Sequence, residues 1–230
     1  MEGLHLPASL MLFATLLFCA ASVFRYSICV SLLDRPIMIG VIWSAFTGEW
    51  AMTMSLALFF ELFWLDLMHV GTYIPPFSSM SLLLCILLAD YFNISDVRQL
   101  PLPILLSLPW ALAGAAAERW MRQRQSVLYF NFVERGEALR KFLVPGRIFC
   151  KSILKLMALQ AVLFAGCYSI TENLGHLLVN WLGLPTFSWL NCGLLWTLGA
   201  AMGGFMALRT RRAYFVFAAC IVCVAAYLLI

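Results

Sequence analysis

The sequence predicts an all-α polytopic membrane protein. Of its 230 residues, 63% are hydrophobic and only 11% are charged, and the mean hydropathy is +0.93. Soluble globular domains carry about 25% charged residues. The composition therefore excludes a soluble enzyme, a disordered protein and a nucleic-acid-binding module. Because a spanning helix takes about 20 residues, the chain can hold at most about eight spans, enough for a compact helix bundle formed by one domain over residues 1–230.

Uncharged runs mark the expected helices in chain order. They cover residues 7–24, 50–60, 72–89, 99–117, 156–171, 177–208 and 213–230. We interpret the first run as a retained membrane segment, since Glu2 and His5 precede it where a signal peptide would carry basic residues. Proline and glycine are expected to interrupt several runs, at Pro75, Pro76, Pro101, Pro103, Pro109, Pro185, Gly203 and Gly204. Broken segments at membrane depth are typical of transporters.

Basic residues predict the orientation. Nine of the fifteen Lys and Arg residues lie between Arg119 and Lys155, within a stretch over residues 118–155, and a second cluster covers Arg209 to Arg212. Both are expected on the cytoplasmic side, because basic loops resist translocation. Two spans, at about 156–174 and 190–208, would separate them. The eight cysteines are scattered through apolar sequence, so we interpret them as packing residues and predict no metal site, no cofactor and no nucleic-acid partner.

Acidic residues in apolar sequence identify the candidate site. Glu61 and Asp66 lie among aromatic residues, with His69 shortly after them. At about 100° per helical residue, Asp66 and His69 share a helix face and Glu61 lies about 80° from His69. A charge at the centre of a spanning helix costs about 2.5–3.5 kcal/mol, so such residues usually face a partner or a cavity. Carboxylates beside aromatic rings suit a sugar, and the same set suits a proton relay equally well.

The region from residue 34 to 76 resembles a known transporter family. It reads Asp34-Arg35-Pro36, then Gly48-Glu49, Glu61, and finally His69-Val70-Gly71-Thr72-Tyr73-Ile74-Pro75-Pro76. This pattern resembles the membrane-embedded IIC subunit of mannose/sorbose-type sugar phosphotransferase systems. That family has an Arg-Pro motif, a Gly-Asp or similar pair, a Glu or Gln in an apolar helix, and a glycine-containing turn ending in Pro-Pro-Asp. Further along, Leu190-Asn191-Cys192-Gly193 and Leu198-Gly199-Ala200-Ala201-Met202 are also similar.

Two departures from the family pattern stand out. Phe77 occupies the place of the motif's Asp, and Asp66 stands where the family usually has a small residue. One expectation is that Asp66 compensates for the lost acid. Another is that this chain takes a different sugar or is a non-transporting structural subunit.

The resemblance implies an elevator-type transporter subunit in the bacterial inner (plasma) membrane. It would pair with a IID membrane subunit and deliver sugar to a soluble IIB subunit, which a IIA subunit phosphorylates. The IIC chain would carry no catalytic residue. The implied substrate-binding residues are Glu61, Asp66, His69, Gly71, Thr72, Pro75, Pro76 and Asn191, supported by the motif residues Asp34, Arg35, Pro36, Gly48 and Glu49. The competing interpretation is a proton- or ion-coupled secondary carrier that uses Glu61, Asp66 and His69.

Overall fold

The computed structural model describes residues 7–27, 34–65, 74–134 and 145–207, and all the regular secondary structure in these ranges is helical. Within these ranges seven α-helices follow one another, and a 3-10 turn at Val97–Gln99 precedes the fifth. Their bounds are α1 Ala8–Ser27, α2 Pro36–Thr47, α3 Trp50–Phe63, α4 Ser78–Tyr91, α5 Pro101–Glu134, α6 Pro145–Leu182 and α7 Cys192–Ala207. The predicted all-α class is confirmed.

Helix length separates the bundle into two groups. Among the helices of the described ranges, three contain stretches long and apolar enough to cross a membrane, at Ala8–Arg25, Pro101–Arg124 and Ser152–Trp181. The other four are apolar but shorter, and α2, with 12 residues, is only about 18 Å long. Because the hydrocarbon core is about 30 Å thick, the short helices depend on their neighbours inside the bundle.

Consecutive helices alternate in direction. Near the start of α1, Phe13 contacts Trp43 and Phe46 at the end of α2, while Arg25 at the other end of α1 contacts Asp34, just before α2 begins. These contacts make α1 and α2 antiparallel. Since only Gly48 and Glu49 separate α2 from α3, these two helices form a hairpin over residues 36–63.

Helix α7 runs parallel to α3. The indole N–H of Trp196 donates to the carbonyl of Ser55 at 3.3 Å, and Gly203, two turns later, lies against the carbonyls of Leu62 and Phe63. The odd-numbered helices therefore point one way and the even-numbered helices the other.

Helix α4 forms the centre of the bundle. Its residues from Ser78 to Ala89 are all buried, so every side of the helix over this range is covered by protein. A helix that is apolar all round is buried on all faces. Its polar side chains have partners, because Ser79 donates to Asp34 and Ser81 donates to the carbonyl of Phe77.

The expected interruptions are confirmed only in part. Residues 74–77 are not helical, so the predicted break at Pro75-Pro76 is confirmed. Pro185 also lies outside the helices. In contrast, Gly203 and Gly204 do not break α7, and α5 continues through Pro109. The expectation was wrong at Gly203 because this glycine serves helix packing against α3 and the helix keeps its own hydrogen bonds.

Candidate functional site

Glu61 lies in the last turn of α3 and pairs with Arg35, the residue that precedes α2. The guanidinium nitrogen of Arg35 is 3.1 Å from Oε1 of Glu61, and the two side chains are 29% and 13% exposed. Pro36 is the first residue of α2, where the N–H that proline lacks is not needed by the helix. Because a residue before proline favours extended backbone, Arg35 is extended, and its side chain reaches the end of α3.

Two buried polar atoms beside this pair have unused hydrogen-bonding capacity. Oε2 of Glu61 is buried and accepts no hydrogen bond from the described residues. The indole N–H of Trp64 is also buried and donates no hydrogen bond to them. Glu61 and Trp64 are three residues apart at the end of α3, so the acceptor and the donor lie on neighbouring positions. Such groups are costly when buried alone, and both belong to the end of α3 that carries the Arg35–Glu61 pair.

The α2–α3 hairpin positions Glu61. Gly48 ends α2 with φ +81°, a backbone conformation that favours glycine, and its N–H donates to the carbonyl of Ser44. Along the hairpin, a Cβ at Gly40 would lie 2.6 Å from Cβ of Ala57, so the two helices touch through small residues. Gly48 and Glu49 form the tip, opposite to the end that holds Glu61. They shape the hairpin and do not reach Glu61.

A second group of charges lies beside the first and is more deeply buried. Arg25, at the end of α1, donates to Oδ2 of Asp34 at 2.9 Å and to the carbonyl of Pro75 at 2.5 Å. Its Nε is 3.5 Å from Oε2 of Glu118 on α5. The side chains of Arg25, Asp34 and Glu118 are 2%, 7% and 3% exposed. Ser79 donates to Oδ1 of Asp34 at 2.8 Å.

Glu118 also pairs with Arg122 one turn later, so two acids face two arginines in this cluster. Buried charges are tolerated when they are paired and hydrogen-bonded. The cluster joins α1, the entrance to α2, the 74–77 segment, α4 and α5. We call these residues (Arg25, Asp34, Ser79, Glu118 and Arg122) the buried ion cluster.

Phe77 contacts the buried ion cluster directly. Arg25 lies over its ring, 4.1 Å from the centroid, and the Phe77 side chain is fully buried beside Phe18. Close packing to α5 depends on Gly114, where a Cβ would lie 2.7 Å from the Phe77 ring. Position 77, where the resembled family has an Asp, therefore faces Arg25. In this chain Phe77 stands there and makes a cation–π contact with Arg25.

The remaining predicted site residues fall into two groups. Asp66, His69, Gly71 and Thr72 lie outside the described residues. Asn191 caps α7, where its Oδ1 accepts from the N–H of Leu194 at 2.9 Å. Because α7 runs parallel to α3, Asn191 lies at the hairpin-tip end, roughly 15 Å along the helices from Glu61. The structure does not bring Asn191 to the Glu61 pair.

Sequence reasoning missed Arg25 and Glu118. Arg25 directly follows the first apolar run, and Glu118 begins the basic stretch, so both looked like the ends of spans. A usable signal was available in Glu118 and Arg122, an acid and an arginine four residues apart at the end of an apolar helix. Within the described ranges, no group of three or more His, Cys, Asp or Glu side chains could hold a metal.

Comparison with known proteins supports the fold. No protein-family profile and no curated protein matches this chain. A solved structure described as that of a membrane protein is similar over 96% of this chain and 88% of its own length, with a TM-score of 0.56 and 13% sequence identity. At this identity, the likeness concerns the fold alone. With three helices long enough to span, it identifies the chain as a helical membrane protein.

Proposed function

We propose that this chain is the membrane-embedded, sugar-translocating IIC subunit of a phosphoenolpyruvate-dependent sugar phosphotransferase system of the mannose/sorbose type. It acts in the bacterial inner membrane beside a IID membrane subunit. A soluble IIB subunit, phosphorylated by IIA, transfers the phosphoryl group to the sugar, so the chain contributes binding and translocation and no phosphotransfer residue. The sequence resemblance over residues 34–76 supports this assignment.

The observation that carries the proposal is the burial of two groups without a hydrogen-bond partner near the end of α3, Oε2 of Glu61 and the indole N–H of Trp64. A sugar hydroxyl can donate to Oε2 of Glu61 and accept from the indole N–H of Trp64, which are both buried without a hydrogen-bond partner among the described residues. Arg35 holds the other carboxylate oxygen and thereby fixes the orientation of Glu61.

The backbone around this pair also suits a transport site. Helix α3 ends at Phe63, and the chain enters α4 through the buried, non-helical residues 74–77. Non-helical backbone at membrane depth occurs where it is enclosed by protein or lines a wet cavity. In transporters, helix ends and broken segments of this kind form the substrate site.

Sugar uptake in cells that express the chain with and without a IID partner tests the proposal. Uptake should require both subunits. We expect Glu61→Ala to weaken sugar binding roughly ten- to a hundredfold, because hydrogen bonds to charged groups are worth about 1.5–3 kcal/mol. Trp64→Phe keeps the ring and removes the donor, so it should cost less. Asp96→Ala is the matched control, since this carboxylate is 54% exposed and follows the end of α4, whereas the start of α4 is the end that contacts Asp34 next to the Glu61 pair. Unchanged uptake in Glu61→Ala would show that the site assignment is wrong.

The same experiment separates sugar translocation from proton-coupled transport through Glu61, Asp66 and His69. Glu61→Gln keeps a hydrogen-bond acceptor, so a sugar site should tolerate it better than Glu61→Ala. A proton relay needs an ionisable group, and the two substitutions should then be equally damaging. Asp66→Asn and His69→Ala extend the comparison to the other two candidates.

A further inference from the structure

The guanidinium of Arg25 contacts the chain on both sides of the α2–α3 hairpin. Asp34 lies directly before the hairpin, and Pro75 lies twelve residues after the hairpin ends at Phe63, shortly before α4 begins. The two contacts are 2.9 Å to the carboxylate of Asp34 and 2.5 Å to the carbonyl of Pro75. One side chain, that of Arg25, thus contacts both the residue before the hairpin and the segment that leads into α4.

Arg25 is itself held by the rest of the bundle. Its own helix packs against α6, through Phe18 and Phe164 with ring centroids 5.1 Å apart. Glu118 on α5 lies 3.5 Å from Nε, and the Phe77 ring covers the guanidinium. The N–H of Phe77 donates to the carbonyl of Ala111 on α5 at 3.0 Å, which attaches the returning segment to the same helix. These contacts connect the base of the hairpin to α1 and α5.

The base of the hairpin also holds the Glu61 pair. Asp34 binds Arg25, and its neighbour Arg35 binds Glu61 at 3.1 Å. A displacement of Asp34 therefore displaces Arg35, and with it the oxygen of Glu61 that Arg35 orients. We propose that Arg25 is a positioning residue that holds Asp34, at the entrance to the α2–α3 hairpin, against the segment that leads into α4, and so determines where the Arg35–Glu61 pair lies. The part of this inference that concerns ligand binding rests on the proposed function, whereas the part that concerns the hairpin does not.

Only arginine has the geometry for this role. A guanidinium presents five N–H donors in a fixed plane, so it can hydrogen-bond a carboxylate and a carbonyl while a second carboxylate, that of Glu118, lies within ion-pairing distance of Nε. A lysine ammonium keeps the charge on a single atom at the end of a flexible chain. Arg25→Lys should preserve one contact and loosen the others, which makes it the appropriate substitution for the test.

Spin-label distances measure the hairpin directly. The labels are introduced in the full chain with its cysteines replaced. The distance between labels at Ala45, near the hairpin tip, and Ser169 on α6 measures the position of the hairpin. The distance between labels at Ala116 on α5 and Ser169 measures whether the rest of the bundle is unchanged. All three positions are exposed. Arg25→Lys should shift or broaden the distance between Ala45 and Ser169 and leave that between Ala116 and Ser169 unchanged. Arg35→Lys is the matched control, since it disturbs the Glu61 pair and leaves the contacts of Arg25 intact, so both distances should stay as in the unsubstituted chain.

Sugar affinity provides the second measurement, made by equilibrium binding of a panel of hexoses and hexitols to the purified complex with IID. Arg25→Lys and Arg35→Lys should each raise the dissociation constant about tenfold or more. A merely structural role of Arg25 predicts a lower melting temperature with unchanged Ala45–Ser169 distance and unchanged affinity, and this result would overturn the inference. If no sugar binds to any variant, the proposed function fails while the distances still decide the role of Arg25.

Asp34→Asn supplies an independent variant if Arg25→Lys does not fold. It preserves the shape of the side chain and removes the charge that binds Arg25. We expect the same change in the distance between Ala45 and Ser169, again without a change between Ala116 and Ser169. An unchanged hairpin distance in Asp34→Asn would contradict the inference as directly as it would in Arg25→Lys.

Discussion

Neighbouring residues at the entrance to α2 serve different clusters. Asp34 is buried against Arg25 and Ser79, whereas Arg35 is partly exposed and binds Glu61. Successive residues in extended backbone point in opposite directions, so one short motif can hold two groups of charges. Pro36 keeps the residue before it extended. The Asp-Arg-Pro motif thus has a physical explanation that does not depend on a ligand.

Phe77→Asp tests whether the buried ion cluster is already electrically balanced. Asp34 and Glu118 face Arg25 and Arg122, so a third acid would be buried without a partner of its own. We expect Phe77→Asp to destabilise the chain by about 3–5 kcal/mol, measured by thermal unfolding in detergent. Phe77→Leu is the control for lost packing and should cost about 1–2 kcal/mol. If Phe77→Asp were as stable as Phe77→Leu, Arg25 would have capacity for another acid.

At the scale of helices, glycines on one face of α7 bring two backbones together. A Cβ at Gly199 would lie 3.0 Å from the carbonyl oxygen of Phe59, and one at Gly203 would lie 2.4 Å from that of Leu62. Spacing of small residues by four places them on one helix face, and such faces allow close contact between membrane helices. Since Leu62 adjoins Glu61, this contact also supports the end of α3 that carries the candidate site.

Gly203→Ala and Gly204→Ala form a matched pair for this contact. The added methyl group at position 203 would meet the α3 backbone, which cannot rotate away, and we expect a loss of about 1–3 kcal/mol in stability. At position 204 nothing lies within 4 Å, so alanine should stabilise α7 by roughly 0.5–1 kcal/mol through its helix propensity. Thermal unfolding of both variants checks the prediction. Equal melting temperatures would show that α7 can move away from α3 at no cost.

The sequence predicted the helices better than the contacts between them. The uncharged runs located the apolar parts of α1, α5 and α6, the described helices long enough to span. They did not mark α2, and the run 177–208 joined the end of α6 to α7. The local restriction at Pro75-Pro76 predicted the break before α4, because it depends on properties of neighbouring residues. The role of Gly203 and the burial of Arg25 depend on which helix lies opposite, and a single sequence does not report that. The sequence marked Glu61 as an acid in an apolar helix, and its ion pair with Arg35 became evident only from the hairpin that brings the two residues together.

At the scale of the whole molecule, alternating helices place the basic ends together. Helices α5 and α7 point in the same direction, and in the sequence α5 contains the start of the basic stretch while Arg209 to Arg212 follow α7. Near the end of the candidate span in α5, Arg124 lies over the ring of Trp120, 4.5 Å from its centroid, and this Trp is 51% exposed. Aromatic residues of this kind are enriched at the membrane–water interface, so the Trp120 level is where we expect the cytoplasmic boundary.

Single-cysteine labelling of intact cells tests this orientation. In a cysteine-free chain, Arg124→Cys and Arg211→Cys should react with a membrane-impermeant maleimide only after permeabilisation, because basic segments stay on the cytoplasmic side. Ser188→Cys, in the exposed connection between α6 and α7, should react in intact cells, since that connection lies at the opposite end of the bundle. The three positions test both helix direction and side. Labelling of positions 124 and 188 from the same side would contradict a crossing of the membrane by α6. Labelling of positions 124 and 211 from outside, with position 188 protected, would agree with the fold but show that the proposed orientation is inverted.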